Sequence, residues 1–261
     1  MVSLFPSCFP IRIKTGLHSF AFMNMVIDAG NSLTKIGIFE KDQLHRKEEF
    51  TSPEEVKKFL HAFPVEHLIL GSVTRVREEI LLFAKVSGTQ MILTHNLPLP
   101  ITNTYATPET LGVDRLAAAC GAWLHYPGEA SLVIDAGTCI NYEFINANGE
   151  YKGGAISPGV NMRFQSMHQL TARLPSISPR QGVSLVGNST AACLQSGVMN
   201  GVLEEINGIS ARYRKDHPGI RVILTGGDAH FFEILMKPPI FVAPDLVLQG
   251  LNSILSHNVN S

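Results

Sequence analysis

Two short segments of this sequence place a carboxylate at the end of an apolar strand and follow it with a glycine turn. The first is Val26-Ile27-Asp28-Ala29-Gly30-Asn31-Ser32, and the second is Val133-Ile134-Asp135-Ala136-Gly137-Thr138. Glycine lets backbone N–H groups approach an anion, and the aspartate can meet a cation carried by that anion. A metal-bound phosphate is therefore the ligand this chemistry suits. Asn31 and Ser32 can donate to phosphate oxygens, and Lys35 on the next strand can reach back as a point charge. One copy alone could be a plain hairpin turn with an exposed lysine, because short motifs often match by chance. Repetition in the same strand-turn-strand setting favours the phosphate reading. It also implies two similar half-domains with a nucleotide phosphate chain between them.

Three further segments carry chemistry. Gly112-Val113-Asp114-Arg115 stands at a helix start. Asp114 there could favour the helix dipole or cap the helix, or it could be a catalytic carboxylate beside an arginine that clamps an acidic substrate. Spacing alone leaves both open. Gly153-Gly154-Ala155-Ile156-Ser157-Pro158-Gly159 leaves a hairpin and enters a helix, and its glycines imply close backbone approach to a ligand or a neighbouring element. Thr225-Gly226-Gly227-Asp228 joins a strand to a helix, a place where the base and ribose of a nucleotide can lie against backbone, although glycine pairs also serve packing there.

The elements that must position these residues follow from periodicity and turn signals. Strands are expected over 25–29, 33–40, 43–50, 67–72 and 90–94, and again over 131–136, 139–146, 150–156 and 220–225, with a short one near 240. Helices are expected from Ser52-Pro53-Glu54-Glu55, with the serine as hydroxyl cap, and over 76–87, 112–126, 159–171, 189–215, 228–236 and from about 245. Residues 95–110, with Pro98, Pro100 and Pro108, read as loop, and Asn146-Ala147-Asn148-Gly149 as a hairpin turn. Each half opens with a meander of antiparallel strands and continues in alternating strands and helices, which is α/β with a mixed sheet, built twice.

Bulk composition narrows the function classes. The 261 residues are 45% hydrophobic and 16% charged with a net charge of −1, so no broad basic field points to nucleic acid. No segment reaches the roughly 18 apolar residues of a membrane span. Cys8, Cys120, Cys139 and Cys193 are widely spaced, with no CxxC pair. Three of them are expected in the core, a pattern that favours a reducing cytoplasm. Residues 1–22 place Arg12 and Lys14 inside a proline-interrupted apolar stretch, which is the wrong order for an export signal. They are read as an extension, non-native or disordered, ahead of a start at Met23 or Met25. The first half-domain then spans 23–128 and the second 129–261.

Taken in order, Asp28-Ala29-Gly30-Asn31-Ser32-x-x-Lys35, Tyr105, Leu111-Gly112-Val113-Asp114-Arg115, Asp135-Ala136-Gly137-Thr138, Gly153-Gly154-x-Ile156-x-Pro158-Gly159, Leu174-Pro175 and Thr225-Gly226-Gly227 resemble the type III pantothenate kinases. These belong to the actin, sugar-kinase and heat-shock-chaperone ATPase superfamily, and the match covers about residues 25–256. The resemblance implies a duplicated ribonuclease H-like fold and ATP-dependent phosphorylation of pantothenate, the first step of coenzyme A synthesis. By the same resemblance, Asp28, Ala29, Gly30, Asn31, Ser32 and Lys35 bind ATP phosphates and Mg²⁺, joined by Thr138, with Gly226 and Gly227 also on the ATP side. Asp135 corresponds to a ligand of a monovalent cation, potassium or ammonium. Asp114 corresponds to the proton acceptor, and Tyr105, Gly112, Val113, Asp114, Arg115 and Thr190 to pantothenate contacts. Thr190 is equally a first-turn residue of the helix expected there. Arg163, His168 and Arg173 could rim the site or simply form a solvated helix face. The family are homodimers with pantothenate near the dimer interface. The competing class is a non-catalytic nucleotide-binding regulator of the same fold.

Overall fold

The computed structural model describes residues 23–30, 33–72 and 78–260. The expected extension over 1–22 and the phosphate-turn residues Asn31 and Ser32 lie outside these.

The first half builds a five-stranded sheet from β1 (Asn24–Ala29), β2 (Thr34–Glu40), β3 (Gln43–Phe50), β4 (His67–Ser72) and β5 (Gln90–Ile92), in the order β3-β2-β1-β4-β5. The second half repeats that order with β7 (Ser131–Ala136), β8 (Cys139–Ile145), β9 (Glu150–Pro158), β10 (Arg221–Thr225) and β11 (Phe241–Val242), giving β9-β8-β7-β10-β11. In both, the first three strands are antiparallel and the last two run parallel to the first. The short β6 (Thr102–Asn103) adds to the outer edge of β9. β1 and β7 are near-continuous apolar runs because each is central and covered on both faces. β3 is a charged edge strand, His45 to Glu49, which discourages pairing with a foreign strand.

The helices join the halves. α1 (Pro53–Ala62), with Val56 and Leu60 inward, packs under the first sheet. α2 (Glu78–Leu81) is a single turn, and α4 (Val160–Gln169) and α5 (Thr190–Asp216) cover the second sheet. The last helix of each half, α3 (Val113–His125) and α6 (Leu246–Val259), crosses the other at the centre of a third apolar cluster shared by both sheets. A side chain at Gly250 would strike the carbonyl of Ala117, and one at Gly121 would strike that of Leu246. Glycine there lets the two helix backbones touch, so the halves share one interior.

Several expectations are corrected. The helix read over 76–87 is only α2 within the described residues, and the chain then turns through Leu82 and Phe83. The helix read over 228–236 is a 3₁₀ turn, Ala229–Phe231, followed by further turns. The proline-rich loop contains β6 and a 3₁₀ turn at Pro108–Thr110. Ser52 is the N-cap residue of α1, but its hydroxyl makes no capping bond. Of the described cysteines only Cys120 is core; Cys139 is half-buried and Cys193 is exposed on the first turn of α5.

Candidate active site

Duplication brings the two carboxylates together. Asp28 and Asp135 are each the penultimate residue of a central strand, β1 and β7. Both hairpins close tightly beyond them: Gly30 N–H donates to the Leu33 carbonyl at 3.1 Å and Gly137 N–H to the Cys139 carbonyl at 2.9 Å. Asp28, Lys35, Asp135, Thr225 and Gly226 line one small cleft of about 40 Å³, together with Pro244, Asp245, Val247 and Leu248. The strand registers show where the copies differ. Asp28 faces Lys35 across β1 and β2, whereas Asp135 faces Asn141 across β7 and β8. One copy thus sets a cation opposite its aspartate and the other a neutral amide.

Charge follows from this. Burial pushes the Asp28 carboxyl up to about 6, with Lys35 opposing and Asp114 adding to the rise. Burial pushes Asp135 further, to about 7, reinforced by Asp114 and Asp28 and opposed by Lys35. Three carboxylates thus feel one another in a site with one lysine, a charge imbalance that cations would relieve.

Glycine geometry shapes the rest of the cleft. Gly226 holds φ at +96°, and a side chain on it would strike the Ala136 carbonyl and the Asp135 carboxylate. Gly159 N–H donates to the Thr138 carbonyl at 3.1 Å, and a side chain there would strike the Gly137–Thr138 backbone. Ala29 is buried at the end of β1, while Thr138 and Gly227 are exposed.

A second group of residues sits at the start of α3. Gly112 is the N-cap, and the Arg115 N–H donates to Asp114 Oδ1 at 2.9 Å. The Arg115 side chain is nearly buried and bidentate on Glu143, with Nε to Oε1 at 2.6 Å and Nη2 to Oε2 at 2.9 Å. Burial opposes its charge, but the bonds to Glu143 outweigh that and hold its pKa above the usual guanidinium value. The Tyr151 hydroxyl also donates to Glu143 Oε2. Tyr105 lies under the Arg115 guanidinium, 5.7 Å from its ring centre, and its ring packs 6.1 Å from that of Tyr151. The structure therefore gathers Tyr105, Gly112, Val113, Asp114 and Arg115 around the start of α3, and Asp114 is near enough to Asp28 and Asp135 to raise both carboxyls. Glu143 was not legible as a site residue.

Other expected residues fall elsewhere. Thr190 is the first residue of α5 and exposed; Ser189 is the cap, its hydroxyl accepting from the Ala192 N–H. No described contact joins Thr190 to Tyr105 or to residues 112–115. Arg163 is bound to Glu205 at 2.5 Å, Ser157 at 2.8 Å and the Pro158 carbonyl at 2.8 Å, and so braces the β9–α4 junction. His168 bonds to the Leu174 carbonyl, and Arg173 is exposed.

A duplicated mixed sheet with paired hairpin turns over an acidic cleft defines the actin-like ATPase and sugar-kinase class of fold. A Baf family protein from Campylobacter jejuni shares the fold with a TM-score of 0.61 at 22% identity, covering 91% of this chain and 100% of that one. So does the activator of the 2-hydroxyisocaproyl-CoA dehydratase from Clostridium difficile, with a TM-score of 0.53 at 13% identity, covering 91% and 94%. Sequence is more specific than fold. Residues 24–212 match the type III pantothenate kinase family. The type III pantothenate kinase of Phocaeicola vulgatus is 41% identical over 240 residues, 90% of this chain and 99% of that protein. That of Christiangramia forsetii is 39% identical over 240 residues, again 90% and 99%. The chain belongs to the type III pantothenate kinase family.

Proposed function

We propose that this chain transfers the terminal phosphoryl group of ATP to the terminal hydroxyl of pantothenate, the first step of coenzyme A synthesis. The observation that carries this reading is the convergence of Asp28, Lys35 and Asp135 on one cleft, with Asp114 near enough to raise both carboxyls. Phosphoryl transfer asks a protein mainly for positioning and charge neutralisation. Ala29, Gly30, Thr138, Gly226 and Gly227 surround the phosphate chain, and Lys35 meets its charge; Asn31 and Ser32 follow Gly30 in the sequence. Asp114 accepts the proton of the primary alcohol. Arg115, Tyr105, Gly112 and Val113 form the pantothenate wall.

The donor set fits hard cations. Its ligating atoms are carboxylate oxygens, and among the described residues no group of three His, Cys, Asp or Glu forms a metal cage by itself. Mg²⁺ commonly binds in this manner, through one or two carboxylates and the substrate phosphates. Asp28 would hold it through the phosphates, and Asp135 would take a monovalent cation, potassium or ammonium. Bound there, the cations neutralise charge on the phosphoryl oxygens.

The chain acts as a homodimer. Ile156 (62% exposed), Leu170 (83%), Leu185 (79%) and Val186 (83%) leave apolar surface uncovered around β9, α4 and the loop before α5. A second copy there would bury it, and would let Thr190 reach the partner's pantothenate. Among the described residues no helix is long and apolar enough to cross a membrane, and a cytoplasmic site of action fits the biosynthetic role. A non-catalytic nucleotide-binding regulator is not favoured, because the cleft keeps its full set of charged groups.

The test is ADP release from ATP, with and without pantothenate and with and without potassium. Pantothenate-dependent turnover that needs potassium or ammonium is expected. Absence of pantothenate dependence in folded dimer would refute the function. Indifference to monovalent cations would refute the role of Asp135.

A further inference from the structure

Pseudo-symmetry lets one half of the fold serve as a control for the other. Register aligns Asp28 with Asp135 and Lys35 with Asn141, so Gly37 on β2 is the counterpart of Glu143 on β8. The last helices align from their first residues, Val113 and Leu246, and their closest approach pairs Ala117 with its own counterpart, Gly250. Asp114 and Arg115 then correspond to Val247 and Leu248. The positions equivalent to Arg115 and Glu143 are thus an uncharged leucine and glycine, and a side chain on Gly37 would meet Phe39, Val26 and Leu44.

A buried ion pair is a poor way to gain stability, since desolvation offsets much of the attraction. What it does supply is fixed geometry. Glu143 is fully buried and receives three bonds, two from Arg115 and one from Tyr151. Through them it sets the plane of the guanidinium over which Tyr105 stacks, and the seat of the helix turn whose Arg115 N–H holds Asp114. Two of the guanidinium nitrogens are committed to Glu143. Arg115 therefore does not meet a substrate carboxylate with that bidentate edge, and Nη1 is the nitrogen not bonded to Glu143.

Resting on the kinase reading above, we propose that Glu143 is the positioning residue of the pantothenate wall: it fixes Arg115, Tyr105 and the Asp114 turn for the acceptor, and its hydrogen bonds reach none of the residues lining the cleft of Asp28 and Asp135. The experiment compares Glu143→Gln and Glu143→Asp with the unaltered chain, measuring KM for each substrate and the thermal midpoint with and without ATP. Glu143→Gln keeps the volume and loses the charge. It is expected to raise the pantothenate KM by about 10- to 100-fold, the scale of a misplaced substrate contact. The ATP KM should stay within about twofold, and Glu143→Asp, which keeps the charge, should recover part of the loss. A pantothenate KM unchanged by Glu143→Gln, or a parallel loss for both substrates, overturns the proposal. Should Glu143→Gln fail to fold, Glu143→Asp must show the same split between substrates, and equal KM shifts in it overturn the proposal. Lack of pantothenate-dependent turnover in the unaltered chain would instead strike the kinase reading, so the two failures are distinguishable.

Discussion

Asp114→Asn isolates the proton-accepting role. Asp114 already spends Oδ1 on the Arg115 N–H at 2.9 Å. The amide oxygen of asparagine can keep that bond, so the start of α3 should survive. An acid in the first helical turn adds only about 0.3–1 kcal/mol through the helix dipole, which bounds the expected loss of stability. The other oxygen becomes an amide NH₂, a donor that cannot accept the hydroxyl proton. Loss of a general base costs about 10²- to 10⁴-fold in turnover, or roughly 3 to 5 kcal/mol in the barrier. Asp114 also raises the carboxyls of Asp28 and Asp135, so its neutralisation should let both ionise more readily and leave ATP binding intact. Turnover is read by ADP release and ATP affinity by calorimetry. Retention of more than about one tenth of wild-type turnover would refute the assignment. An equal fall in ATP affinity would show that the residue serves the phosphate side instead.

Four further outcomes follow from the geometry. Without ligands, Asp28 and Asp135 bind more protons folded than unfolded, because burial raises them to about 6 and about 7; stability measured by denaturant melts should fall as pH rises from about 4 to about 7, then level off. Magnesium with ATP should flatten that slope, and a ligand-free protein whose stability rises over the same range would contradict the buried placement of the pair. Lys35→Met removes the lysine that opposes both shifts, so the ATP KM should rise by about tenfold or more, with little change in the pantothenate KM. Gly226→Ala forces a side chain against the Ala136 carbonyl at φ +96°, and ATP affinity should drop by at least about tenfold. Gly250→Ala wedges α3 from α6 at the Ala117 carbonyl; it should lower stability by about 1–3 kcal/mol, visible as a lower thermal midpoint with and without ATP.

The sequence determined much by itself, because its signals are local. Alternating or continuous apolar runs specified β1, β2, β4, β7, β8 and β10 to within a residue or two. Glycine after a strand-ending aspartate marked both hairpin turns, and an ordered series of motifs marked the family. Signals weakened where tertiary packing competes with propensity. Residues 228–236 carry helix-forming side chains, yet the Asp228 N–H is taken by the Ala136 carbonyl and the chain coils as a 3₁₀ turn against the cleft. Tertiary structure alone decided which residues the repeated turns are paired with. Lys35 and Asn141 are equivalent only by strand register, and Arg115 and Glu143 are distant in sequence until α3 lays one on the other. A buried carboxylate has no local signature, because what makes it tolerable is a partner brought by the fold.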